Sequence, residues 1–271
     1  MKLNIKNFNL KDTITCGQIF RFEEESDKSY TVLLPDRVIN IKQDKDEITI
    51  DSNKLDNLEN VVKNYFDLNY DYESINNMLI KTNPELENII NYSKGLKIIN
   101  EPKEEVIISY ILSSNNKVSQ IKNALDNISN AYGEEVIFNN KKYYLFPKLD
   151  KLMNVSISRF RELKTGFRDK YLYNFIHSNF DINKINSMSS EESLEYLKTN
   201  PGIGDKVASC ILLFGFHRFD VFPIDTWVKK YMNDEYNITD IKKIKQFTKD
   251  KYKEYSGLVI QYMFNYKRNK K

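Results

Sequence analysis

Cysteine is scarce in this chain: Cys16 and Cys210 are the only two among 271 residues, far apart and without Cys-x-x-Cys spacing. Zinc and iron–sulfur sites need clustered thiolates, so no metal site is expected. Two separate thiols suit a reduced, cytoplasmic protein. Long apolar runs are missing too. Nothing approaches the ~18 residues of a membrane helix, and Met1 to Leu10 lacks the apolar core of a secretory signal, which argues against membrane association. Arginine supplies only seven of the 41 basic residues, and there are only eight glycines. The chain has no internal repeat, no Ser/Gly linker and no long low-complexity tract.

With 41% hydrophobic and 29% charged residues, the composition is globular, and the length suffices for one large or two modest domains with ample core. The net charge of +3 says little about nucleic acid by itself. Distribution says more: Arg159, Arg161 and Arg168 fall close together, as either a backbone-contacting edge or a solvated loop. The terminal Lys267-Arg268-Asn269-Lys270-Lys271 is expected to fray.

The first fifty residues alternate between apolar and polar. Segments 3–8, 19–22, 30–34, 38–41 and 47–50 read as strands, with turns at Pro35-Asp36 and Gln43-Asp44-Lys45-Asp46. From Leu55 the period lengthens, and Leu58, Val61, Val62, Tyr65 and Phe66 recur at helical spacing. Further helices are expected over 72–81, 84–94, 102–114, 117–132, 168–179, 190–199, 204–216, 225–232, 239–254 and 256–268, with Pro84, Pro102 and Ser190 marking starts. Residues 134–150 read as a loop or a short strand pair. The expected architecture is α+β: a small N-terminal antiparallel β-sheet domain with flanking helices over 1–97, then a larger all-helical body over 98–271. The first helices, from about residue 55, can pack with either part.

Two of the eight glycines sit two residues apart in Asn200-Pro201-Gly202-Ile203-Gly204-Asp205-Lys206, with Pro223-Ile224-Asp225-Thr226-Trp227 downstream. The first segment reads as a hairpin opening into an apolar helix, Val207 to Phe216. Glycine tolerates positive φ and leaves backbone amides uncovered, and a helix N-terminus adds positive dipole, so the turn can seat a phosphate. Lys206 is a cation where the dipole disfavours one, and that favours the free amine a nucleophile needs. Taken singly, Lys206 also reads as a solvated helix lysine, and Asp225 as a plain N-cap.

The helix-hairpin-helix, the lysine just inside its second helix and the downstream Pro-x-Asp resemble the helix-hairpin-helix superfamily of DNA glycosylases. More narrowly, the whole chain is similar to the 8-oxoguanine DNA glycosylase/AP lyase family, bacterial type. The resemblance implies a monomer that requires no cofactor and acts on double-stranded DNA containing 8-oxoguanine. It would flip out the base, excise it through a lysine Schiff base and then break the strand by β-elimination. Lys206 would attack the sugar C1′, and Asp225 would support the positive charge building up on the sugar.

In Thr15-Cys16-Gly17-Gln18-Ile19-Phe20-Arg21, the Gly17 carbonyl would accept from N7–H, the proton that distinguishes 8-oxoguanine from guanine. Cys210 and Phe264 would sandwich the base, the thiol sharing charge with the amine one turn earlier. In Ser113-Ser114-Asn115-Asn116, Asn115 would enter the hole left by the flipped nucleotide, with Asn116 beside it on the DNA. In Gly166-Phe167-Arg168, Phe167 would wedge into the stack and Arg168 would reach toward the orphaned base. Gly202 and Gly204 would hold a phosphate through their amides, at a hairpin where a monovalent cation can also sit. Plainer roles exist for several of these residues: a turn glycine at 17, a buried core cysteine at 210, a core aromatic at 167 and a helix C-cap at 115.

Three positions depart from the family pattern. Ile260 stands where the family's glutamine reads the Watson–Crick edge, and the adjacent Gln261 is expected to point about 100° away round the helix. Gln120 stands where animal relatives carry an arginine that checks for a paired cytosine, which predicts weaker preference for cytosine opposite the lesion. Trp227 replaces a common histidine near the phosphate path. Two other functions stay open. A monofunctional alkylbase glycosylase generally lacks the hairpin lysine, and a non-catalytic helix-hairpin-helix DNA-binding module leaves Asp225, Phe167 and the Gly17 segment unexplained.

Overall fold

A computed structural model describes residues 1–269. The alternating N-terminal segments form one antiparallel sheet of β1 (Lys2–Asn4), β2 (Phe22–Glu24), β3 (Tyr30–Leu33), β4 (Val38–Asp44) and β5 (Glu47–Ser52), in the order β1-β5-β4-β3-β2. The β4–β5 register sets Ile41 opposite Ile50 and Gln43 opposite Ile48, so the period of two sends Ile39, Ile41, Ile48 and Ile50 to one buried face. Leu58, Val62 and Tyr65 of α2 (Leu58–Tyr65) cover that face.

The strand expected over 3–8 ends at Asn4, the one expected over 19–22 is displaced to begin only at Phe22, and alternation hid the helix between them, α1 (Leu10–Thr15). Asn9 caps α1 by accepting from the Asp12 amide at 2.9 Å, and Gly17, at φ +84°, follows its last turn as a left-handed terminator.

The rest is mostly helical: α3 (Tyr72–Thr82), α4 (Glu87–Tyr92), α5 (Lys103–Leu112), α6 (Val118–Tyr132), a hairpin of β6 (Glu135–Phe138) and β7 (Lys141–Tyr144), α7 (Leu149–Leu152), α8 (Ile157–Phe160), α9 (Asp169–His177), α10 (Ser190–Lys198), α11 (Asp205–Phe216), α12 (Thr226–Tyr236), α13 (Ile241–Tyr252) and α14 (Ser256–Asn269). Buried from Val207 to Phe214, α11 packs against α5 and α10. The early helices divide between two cores: α2 joins the sheet, whereas Tyr72, Ile75 and Leu79 of α3 and Ile89 and Ile90 of α4 join the helical body. Cys16 and Phe20 belong to the helical core and Ile19 to the sheet core, so the Gly17 segment lies where the cores meet.

A buried polar cluster ties this junction. Arg21 pairs with Glu105 of α5 at 3.4 Å and donates to the Tyr144 carbonyl, while the Tyr65 hydroxyl donates to Glu101. Burial, reinforced by the nearby Glu105, holds the Glu101 carboxyl well above the usual carboxylate range.

One expectation fails here. Lys267, Arg268 and Asn269 continue α14 rather than fraying, because Lys267 pairs with Asp234 at 3.2 Å and Arg268 donates to the Thr15 carbonyl at 2.8 Å. Lys270 and Lys271 lie outside the described residues. Of the clustered arginines, Arg159 and Arg161 stay largely exposed while pairing with Glu162 and with the buried Asp169, at 2.8 and 2.7 Å, as a solvated segment would, and Arg168 alone is buried. Among the described residues, no helix is long and apolar enough to cross a membrane, and no group of three or more His, Cys, Asp or Glu is placed to hold a metal ion.

Candidate active site

The hairpin before α11 needs its first glycine for two reasons. Gly202 sits at φ +91°, and a Cβ there would fall 2.4 Å from Cγ of Tyr171. Gly204 is different. It caps α11 with extended backbone, and a Cβ there would meet nothing within 4 Å, so the missing side chain opens access to the first-turn amides rather than relieving strain. Lys206 follows, half-buried, bordering a cleft of about 350 Å³. Its Nζ lies 3.5 Å from the Ser113 hydroxyl and 5.5 Å from the centre of the Tyr110 ring.

Asp225 borders the same cleft. Its Oδ1 accepts from the Val228 amide at 2.8 Å, so it is indeed the N-cap of α12. Capping and catalysis are compatible: the cap fixes the carboxylate, and Oδ2 keeps no protein hydrogen bond among the described residues.

Gly17, Cys210, Ile260 and Phe264 complete the cleft, so all six expected catalytic and pocket residues converge from four regions of the chain. Cys210 lies one turn after Lys206, and the amine acts on the thiol through its charge and a hydrogen bond. Burial pushes the thiol up to about 11, with Lys206 pulling it down and Asp225 pushing it up, so the wall is a neutral thiol at neutral pH.

Tyr110 was missed. Its hydroxyl stands 3.4 Å from the Gly17 carbonyl, and its ring stacks on Phe214 at 5.5 Å. The available signal was its place one turn before Ser113 on the helix leading to Asn115. Gln261 was expected to turn away; instead its Nε2 donates to the Cys16 carbonyl at 3.1 Å, and it borders the cleft beside Ile260. The reason is that α14 is buried all round from Ser256 to Met263, so every direction from its axis meets protein.

The expected DNA-facing residues form a separate edge. Asn115 is exposed at φ +48°, and its side chain has no hydrogen-bond partner among the described residues. It is not the cap of α5. The C-cap is Ser113, and Asn116 donates from Nδ2 to the Leu112 carbonyl at 2.9 Å and accepts at its oxygen from the Lys117 amide at 3.0 Å, which ties its side chain into the loop. Arg168 does not reach outward. Its guanidinium donates from Nε to the Ser114 carbonyl at 2.8 Å and from Nη2 to the Asn115 carbonyl at 2.7 Å, a two-nitrogen clamp on the Asn115 loop, while Nη1 donates to the Thr165 carbonyl at 3.4 Å.

Phe167 is 52% exposed, which removes the core-aromatic alternative, and it meets the Tyr171 ring edge-on. Tyr171 in turn covers Gly202, whose carbonyl accepts from the Ser114 hydroxyl at 3.4 Å. The Asn115 loop, the Phe167 turn and the hairpin are thus locked together. Gln120 is exposed in the first turn of α6, and Trp227, 41% exposed, stands at the rim of the cleft.

The chain is similar to known proteins in sequence and fold. The sequence profile of the 8-oxoguanine DNA glycosylase N-terminal domain matches residues 1–107. A probable N-glycosylase/DNA lyase of Methanothermobacter thermautotrophicus is 27% identical over 237 residues, covering 78% of this chain and 75% of the relative. MBOgg1, solved with a low-affinity DNA ligand, superposes with a TM-score of 0.93 at 34% identity, over 98% of this chain and 94% of that one. The 8-oxoguanine glycosylase/lyase of Clostridium acetobutylicum, solved with duplex DNA carrying cytosine opposite 8-oxoguanine, gives 0.91 at 32% identity, over 99% and 97%. A 3-methyladenine DNA glycosylase from Archaeoglobus fulgidus, at 18% identity and a TM-score of 0.79, shares the fold alone. By these matches the chain belongs to the 8-oxoguanine DNA glycosylase/lyase family.

Proposed function

We propose that this bifunctional glycosylase and AP lyase excises 8-oxoguanine from duplex DNA with Lys206 as nucleophile, Asp225 as electrostatic partner and the Gly17 carbonyl as the reader of the lesion. The observation that carries the assignment is convergence: Lys206, Asp225 and Gly17, distant in sequence, border one cleft with Cys210 and Phe264.

The flipped base enters between the neutral Cys210 thiol and the Phe264 ring, where N7–H meets the Gly17 carbonyl. The Lys206 amine attacks C1′ as the C1′–N9 bond breaks and the electron pair leaves with the base. The Asp225 carboxylate, held by its cap, stabilises positive charge on the sugar. Loss of a proton from the attached nitrogen and opening of the sugar ring give the Schiff base. Removal of a C2′ proton then expels the 3′ phosphate. The hairpin amides and the Asn115–Phe167 edge grip the opened duplex without reading sequence.

Weak preference for cytosine opposite the lesion follows from the same surface. Gln120 has no charge, and Arg168 is committed to backbone carbonyls. Borohydride trapping tests the central role. Lesion duplex should form a covalent adduct with the wild-type protein and none with Lys206→Gln; equal trapping by both would overturn the assignment.

A further inference from the structure

We propose that Gln261 and Arg268 of α14 are positioning residues that fix the reach of the Gly17 carbonyl, and with it the enzyme's preference for 8-oxoguanine over guanine. The inference rests on the pocket assignment above and concerns how that pocket is held.

A helix leaves its last carbonyls without intrahelical partners, and α1 ends at Thr15 with Cys16 as its C-cap just before Gly17. α14 supplies the missing donors. Arg268 donates from Nη1 to the Thr15 carbonyl at 2.8 Å, and Gln261 donates from Nε2 to the Cys16 carbonyl at 3.1 Å. Asn265, between them on the same helix face, donates to Ser93 at 3.1 Å. On the other flank, the buried Gln18 side chain donates to the Thr13 and Lys97 carbonyls at 2.7 and 2.8 Å and accepts from the Ile99 amide at 2.8 Å.

Gly17 is therefore pinned on both sides, which matters because an unpinned glycine at φ +84° is free to swing. The same helix face sets the ring wall. Phe264 Cε1 lies 3.4 Å from where a Gly17 Cβ would be, and the Arg268 guanidinium stands 5.9 Å from the Phe264 ring centre. Guanine offers an unprotonated N7 to this carbonyl and 8-oxoguanine offers a proton, so discrimination depends on the distance and direction of one acceptor.

The test uses the full chain and two substrates. Excision of 8-oxoguanine needs the reader, whereas nicking at a preformed abasic site needs the amine but has no base to read. Gln261→Met, similar in shape but without the donor, and Arg268→Ala should each lower single-turnover 8-oxoguanine excision about tenfold, the scale of one lost or misdirected hydrogen bond. Guanine release should fall less, so the 8-oxoguanine-to-guanine ratio narrows, and abasic nicking should fall much less than excision. Arg268→Lys, which keeps a donor, should recover part of the loss. Unchanged excision, or excision and nicking falling in parallel, would overturn the proposal. A wild-type protein that neither traps nor nicks would instead overturn the function proposed above, before any variant is compared.

Discussion

The two walls of the cleft are built in opposite ways. The chemical wall is local: the hairpin, Lys206 and Cys210 belong to one turn and its helix, and Asp225 caps the next. The reading wall is assembled from the segment after α1, from Tyr110 on α5 and from Ile260 and Phe264 on α14, and one of its hydrogen bonds joins residues 245 apart. A nucleophile needs a backbone terminus and a nearby charge, which a short motif can supply. A flat base needs walls on opposite sides, which only tertiary packing supplies.

This contrast can be broken by experiment. The largest expected effect is on the chemical wall. Asp225→Asn keeps a competent cap but removes the charge, so single-turnover excision should fall roughly 10²–10³-fold with little change in melting temperature. A near-wild-type rate would leave the carboxylate with a capping role alone.

A smaller effect separates the pocket from the outer edge. Excision of 8-oxoguanine opposite C, A, G and T should vary by less than about tenfold, since neither Gln120 nor Arg168 offers a free charged donor worth the ~1–3 kcal/mol of a base-specific contact. A steep cytosine preference would show that another group reads the partner.

The smallest effect lies beneath the reading wall. Burial and Glu105 raise the Glu101 carboxyl above its usual 4.5. The stability it contributes is full below that value and is lost as pH rises through the raised one. The melting temperature should therefore decline from about pH 5 upward, and Glu101→Gln, which cannot ionise, should flatten that decline. Parallel profiles for the two proteins would place the proton elsewhere.

The chemical wall was legible because each of its parts announces itself within a few residues: glycines at a hairpin, a cation at a helix start, an N-cap after Pro-x. The sheet and the long helices were equally plain from their periods. What sequence left hidden was decided by partners distant in the chain. Arg168 looks like a reaching cation until the carbonyls of Ser114 and Asn115 are beside it. Gln261 is misjudged by any reckoning that gives α14 one buried face, since the helix is surrounded. The six-residue α1 is too short to show a helical period, yet its end places Gly17. The neutrality of Cys210 depends on depth, which spacing does not encode.

Peptide mapping of the borohydride-reduced adduct is the most direct test of the central claim, that the amine at the start of α11 bonds to the sugar. Digestion and mass spectrometry should locate the reduced sugar remnant on the peptide containing Lys206 and on no other. A remnant on a different lysine, or on the N-terminal amine, would contradict it.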